Sequence, residues 1–224
     1  MKLFKIFLLL GPIALSSAGV KPTRIPDDGT IHGYLVARVV LDYKGSVTGA
    51  YNMGIGIEVT IDTLVGVRYE VRMTGAINSH IALFYKFSNP HQTIFYNFIT
   101  HKSYVNKDVG PSDSHPNVEE VGEEIVGAYA CTHLQHAVTH EVSDYWMSRQ
   151  IPGFSELSHA LENVSADLPA MAFNGNIFKW GGLVKMKIVD TDPEKGQNLT
   201  MNLHLDNAKI NIPLRLGTFD IPAK

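Results

Sequence analysis

Hydrophobic and polar residues alternate with period two through much of the chain. Ile55, Ile57, Val59 and Ile61 are interleaved with Gly56, Glu58, Thr60 and Asp62, and Val67, Tyr69 and Val71 with Arg68, Glu70 and Arg72. Successive side chains of a strand point to opposite faces, so both segments predict strands with one dry and one wet side. Upstream, 31–41 is dense in β-branched and aromatic residues and predicts the first strand, followed by a glycine-containing turn interval over 45–54. Strands are expected over 79–85 and 93–99, with a turn at Asn89-Pro90-His91 between them. Phe84, Tyr85, Phe87, Phe95, Tyr96 and Phe98 concentrate aromatic volume there, and the polar run 104–116 reads as a loop.

A further strand pair is expected over 123–134 and 141–149, and the last strands over 178–189, 198–206 and 209–213, with 190–196 as a hairpin loop. One segment breaks this rhythm. Phe154, Leu157, Leu161, Val164 and Leu168 recur at spacings of three, four, three and four, the stripe of an α-helix that follows Pro152-Gly153 and ends or kinks near Pro169. The predicted fold class is therefore α+β, mainly β: a curved antiparallel sheet, an incomplete barrel, with a helical lid inserted late in the chain.

Length and composition narrow the picture. With 224 residues, no composition shift and no internal repeat, 19–224 reads as a single β-rich domain. Residues 1–18 read as a signal peptide: Lys2 and Lys5, an apolar core over 6–15, then Ser16-Ser17-Ala18. That core falls short of the about 20 apolar residues a spanning helix needs, so the mature chain is expected to start at Gly19 without a transmembrane segment and to be periplasmic or secreted. A net charge of -3 gives no electrostatic reason for a nucleic-acid partner. Cys131 is the single cysteine, so the core must hold the fold without an internal disulfide. Asn163 and Asn198 begin glycosylation tripeptides, whose use depends on the host.

No catalytic constellation emerges. His140-Glu141 begins a metalloprotease motif, but Asp144 stands where its second His belongs, on a segment that reads as strand. The serine nucleophile elbow is missing, and Gly54-Ile55-Gly56 lacks the helix of a dinucleotide site. Asp190, Asp192 and Glu194 resemble a calcium loop that Pro193 interrupts. The densest set of metal-ligand types is Cys131, His133, His136 and His140, without the tight Cys pairs of structural zinc. No catalytic residue, metal or cofactor is expected.

Taken in order, Val67-Arg68-Tyr69-Glu70, the stretch 125–133, Asp144-Tyr145-Trp146-Met147-Ser148, Ile151-Pro152-Gly153 and the closing Gly217-Thr218-Phe219-Asp220-Ile221-Pro222-Ala223 resemble a family of secreted bacterial proteins of unknown function whose fold is similar to the lipoprotein carriers LolA and LolB. The resemblance implies an incomplete antiparallel barrel round an apolar cavity with helices as a lid, and it carries no catalytic residues. Combined with the apolar stripes, it leads to an expected non-enzymatic binder or carrier of a hydrophobic ligand, a lipid or acyl chain, between sheet and helical lid. Ile57, Val59, Tyr69, Phe84, Trp146, Leu157, Leu161 and Leu168 are the expected cavity residues. The alternatives are a fully packed structural or interaction domain without a ligand, and a metal-binding protein using the His cluster.

Overall fold

The computed structural model describes residues 38–90, 92–106, 117–151, 180–192 and 197–222. They form one open antiparallel sheet of eleven strands: β1 (Arg38–Gly49), β2 (Met53–Asp62), β3 (Gly66–Gly75), β4 (Ser79–Lys86), β5 (Thr93–Asn97), β6 (Lys102–Asn106), β7 (Glu119–Val126), β8 (Tyr129–Val138), β9 (Glu141–Ser148), β10 (Gly182–Asp192) and β11 (Gln197–Ile210). Their order across the sheet is β6-β5-β4-β3-β2-β1-β11-β10-β9-β8-β7. Each half is a meander of hairpins, and the halves join where β1 pairs with β11 from Val39↔Ile210 to Gly49↔Leu199. The first and last strands thus lie at the centre of the sheet.

This topology requires the sheet to bend. Strands about 4.8 Å apart would set β6 and β7 about 48 Å from each other in a flat sheet. The twelve residues joining Asn106 to Glu119 reach roughly 47 Å only when fully extended. Bending and the ordinary right-handed twist draw the two edges together, although β6 and β7 do not pair and the sheet stays open.

Alternation decides which face is buried. Leu41, Val59, Tyr69 and Leu83 are register partners in succession across β1 to β4, and all are almost fully buried. Beyond the central pair, Leu203, Met186 and Tyr145 continue the same face across β11, β10 and β9. Tyr43, on this face, donates its hydroxyl to the Leu183 carbonyl at 2.9 Å, tying β1 to β10 across β11. Burial of these tyrosines has a direct electrostatic effect. It pushes the Tyr43 hydroxyl well above its usual pKa, assisted by Tyr69 and Tyr129, and raises Tyr69 and Tyr145 as well.

Several strand boundaries differ from the sequence reading. The 45–54 interval is largely strand, because Gly45, Ser46, Val47 and Thr48 pair with β11. Part of the expected 104–116 loop is β6, which pairs with β5 from Thr93↔Asn106 to Asn97↔Lys102. The expected strand over 123–134 is two strands, folded back at Gly127, whose φ of 61 turns the chain where the residues on either side are apolar. The strands expected over 198–206 and 209–213 are one continuous β11 that stops at Ile210. Most of 31–41 and the helical segment over 154–168 lie outside the described residues.

After β11 the chain crosses the ends of the neighbouring strands. Phe219 is buried and Asp220 forms an ion pair with Lys86 at the end of β4, so the closing peptide singled out in the sequence is docked on the sheet.

Candidate functional site

Ile57, Val59 and Tyr69 lie together on the buried apolar face of β2 and β3. Phe84 is the partner of Arg68 and packs with Ala82 and Tyr96 in a separate cluster on the polar face. Trp146 has Lys185 and His133 as register partners and is buried within the main apolar cluster. Leu157, Leu161 and Leu168 lie outside the described residues.

A cavity of about 490 Å³ with a mixed polar and apolar lining lies at the β7–β9 margin, within the range of small-molecule sites. Ile125, Ala130, Thr132 and Met147 line it from one face of three adjacent strands, since Ile125↔Ala130 and Thr132↔Met147 are register partners. Trp180 completes the wall. It is brought there by Gly181, which has φ of 113 and lies so close to β9 that an added Cβ would sit 2.5 Å from the Ser148 carbonyl carbon. No other residue type fits that approach without moving one of the two chains. Glu120, Glu123, Glu124, Cys131, Arg149 and Gln150 also line the cavity, Glu124 and Cys131 being a register pair out of phase with the apolar face. None of these lining residues is among the expected cavity residues, although Ile125, Ala130, Thr132 and Met147 fall in the stretches that carry the resemblance; the density of glutamate over 119–124 is a further signal.

The polar face carries cross-strand charge. Glu70, with a side chain 1% exposed, accepts hydrogen bonds from Arg72 Nε at 2.9 Å and from His80 Nε2 at 2.7 Å, and pairs with Arg68. Burial on its own pushes the Glu70 carboxyl up, but the hydrogen bonds from His80 and Arg72 and the charges of Arg68 and Arg72 outweigh it and hold the group below its usual range. His80 in turn stacks on Phe98, with ring centroids 4.0 Å apart. Arg38–Asp62, Lys44–Asp206 and Lys209–Asp42 extend this network across the central strands.

A second polar group surrounds Trp146. His133 stacks on its indole at 4.5 Å, Lys185 Nζ sits 3.9 Å over the ring, and the indole N–H donates to Glu124. Asp144 accepts from both His133 Nε2 and Gln135 Nε2 at 2.9 Å. This arrangement separates the sequence-predicted ligand set. His133 is committed to Asp144, His136 donates through Nδ1 to the Asn117 carbonyl at 2.8 Å, and His140 lies in the exposed turn before β9. Cys131 is buried in the main apolar cluster, and burial pushes its thiol up to about 11, with the Glu124 charge adding to the effect and a Val126 backbone hydrogen bond opposing it. Among the described residues no three His, Cys, Asp or Glu side chains are placed to hold a metal ion.

The profile of DUF4412, a domain of unknown function, matches residues 80–224. The chain belongs to the DUF4412 family. No curated protein sequence matches this DUF4412 chain. Among solved structures it is similar to an uncharacterized conserved protein from Thermus thermophilus, at 11% identity and a TM-score of 0.42 over 82% of this chain and 86% of the other. A putative outer membrane lipoprotein-sorting protein domain from Vibrio parahaemolyticus is similar at 7% identity and a TM-score of 0.33, covering 82% and 89% of the two chains. The DUF1329 family protein from Desulfovibrio piger gives 9% and 0.34 over 83% and 90%. Among the described residues of the DUF4412 chain, no helix is long and apolar enough to cross a membrane.

Proposed function

We propose that the protein is an exported, non-enzymatic binder or carrier of a hydrophobic ligand, a lipid or acyl chain. The observation that carries this reading is the cavity at the sheet margin, whose wall includes an apolar strip of Ile125, Ala130, Met147 and Trp180 among polar residues. The centre of the sheet's buried face is densely filled by Tyr43, Tyr69, Tyr85 and Tyr145, so the margin, not the centre, is where the ligand enters. Export rests on the leader-like pattern of 1–18.

The driving force is burial of hydrocarbon. At about 0.8 kcal/mol per CH₂, a twelve-carbon chain gains roughly 9 kcal/mol, and an association cost of about 4 kcal/mol, the low end of the range, leaves about 5 kcal/mol, a dissociation constant on the order of 0.2 mM. The uncharged fluorophore N-phenyl-1-naphthylamine reports on such a site without favouring either charge. Its emission is expected to rise and shift to the blue on mixing with the protein, and to fall when dodecanol is added. Filling the cavity with Ala130→Trp, a substitution at an exposed position, is expected to remove the signal. An unchanged fluorophore, or equal responses from the two proteins, would count for a structural or interaction domain without a ligand.

A further inference from the structure

We propose that the cavity at the β7–β9 margin selects amphiphiles whose headgroup is positively charged, a primary amine being the simplest case. The inference rests on the hydrophobic-ligand reading and adds what the site asks of the other end of the molecule. Three observations converge on it. Ile125 is 72% exposed where it lines the cavity beside Ala130, Met147 and Trp180, so hydrocarbon from another molecule has a surface to cover. Glu120 and Glu123 pair in register with Leu134 and Thr132, which puts both on the side of the sheet that carries the apolar lining.

Their charges are also uncommitted. Glu124 is engaged by the Trp146 indole and lies near His133, whereas among the described residues Glu120 and Glu123 have no hydrogen-bond or ion-pair partner. Among the described lining residues Arg149 is the one cation against Glu120, Glu123 and Glu124, so their sum is negative. A hydrocarbon chain laid along Met147 and Trp180 with its head toward β7 would place an ammonium beside two free carboxylates. A carboxylate head there would be repelled by the same pair.

The test uses three compounds of one chain length at pH 7 and low salt, dodecylamine, dodecanol and dodecanoate, each below its micellar or solubility limit and read by displacement of N-phenyl-1-naphthylamine. The amine is expected to bind roughly tenfold more tightly than the alcohol, and the carboxylate more weakly than either, with the spread narrowing as salt is raised. Glu120→Gln combined with Glu123→Gln is expected to bring the amine down to the alcohol measured on the same variant. Arg149→Gln should move the amine the other way, which guards against reading a misfolded double variant as support. Alcohol binding without any preference for the amine, or a preference that survives the double variant, overturns the inference and leaves the hydrophobic-ligand reading standing. Failure of all three to bind overturns both.

Discussion

Glu70 shows how a charged residue can sit on a sheet and still stabilise it. Its carboxylate is nearly sealed from water, yet Arg68, Arg72 and His80 surround it from its own strand and from β4. Replacing it by Gln keeps the volume but leaves two guanidinium groups facing each other, and the expected loss is on the order of 2 kcal/mol at neutral pH. The pH dependence follows from the lowered carboxyl pKa. Between the unfolded value, near 4.5, and the lower folded value, the unfolded state binds the extra proton, so this contribution is present above that window and lost as pH falls through it. Urea midpoints of the parent and Glu70→Gln should therefore differ at pH 7 and converge toward pH 3; a constant gap would show that the carboxylate's charge is irrelevant. The alternation of Arg68, Glu70 and Arg72 with Val67, Tyr69 and Val71 made this polar side legible in the sequence. The side taken by Phe84 and Trp146 is not legible for a related reason. Each has apolar neighbours on both flanks, Leu83 and Tyr85 in one case and Tyr145 and Met147 in the other, so period two has no phase there.

Among the elements, the hairpin from β7 to β8 is the one the hydrophobic pattern hid. Ile125, Val126, Ala128, Tyr129 and Ala130 read as unbroken strand, and Gly127 alone marks the reversal. With φ of 61 at Gly127 and no positive φ at Ala128, the loop has the form of a type II′ turn, whose twist suits a tight hairpin. A Cβ at Gly127 would meet nothing within 4 Å, so the cost of Gly127→Ala comes from the backbone alone and is expected to be about 1–2 kcal/mol. Thermal unfolding should show that loss with the near-ultraviolet signal of the folded state intact. No measurable change would mean that the turn adopts another form in solution. The same hairpin carries the cavity, and its outer strand, β7, is a sheet edge with four glutamates, Glu119, Glu120, Glu123 and Glu124. Charges on an edge oppose pairing with other chains, so these residues serve the sheet whether or not a ligand is present. In the sequence alone, that duty and a binding duty look alike.

At the scale of the whole molecule, the pairing of β1 with β11 makes the fold depend on both ends of the chain, and the closing peptide, held by buried Phe219 and the Lys86–Asp220 pair, lies beyond the last strand. The mainly β class was legible from alternation; the order of the strands was not, because every hairpin reads locally while the central pair joins residues some 160 positions apart. What faces the apolar side of the sheet is a question that the periodicity of 154–168 answers in sequence terms alone. The stripe of Phe154, Leu157, Leu161, Val164 and Leu168 needs a partner, and we propose that the apolar face supplies it. Replacing Leu157 and Leu161 by Asp separates two forms of that proposal. Where ligand lies between the surfaces, the double variant should lose fluorophore binding and keep most of its β-sheet circular dichroism. Where the surfaces pack directly, uncompensated buried charge costs several kcal/mol against a typical total of about 5–15 kcal/mol, and the domain should unfold. Global unfolding together with no binding by the parent protein would decide for the packed structural domain.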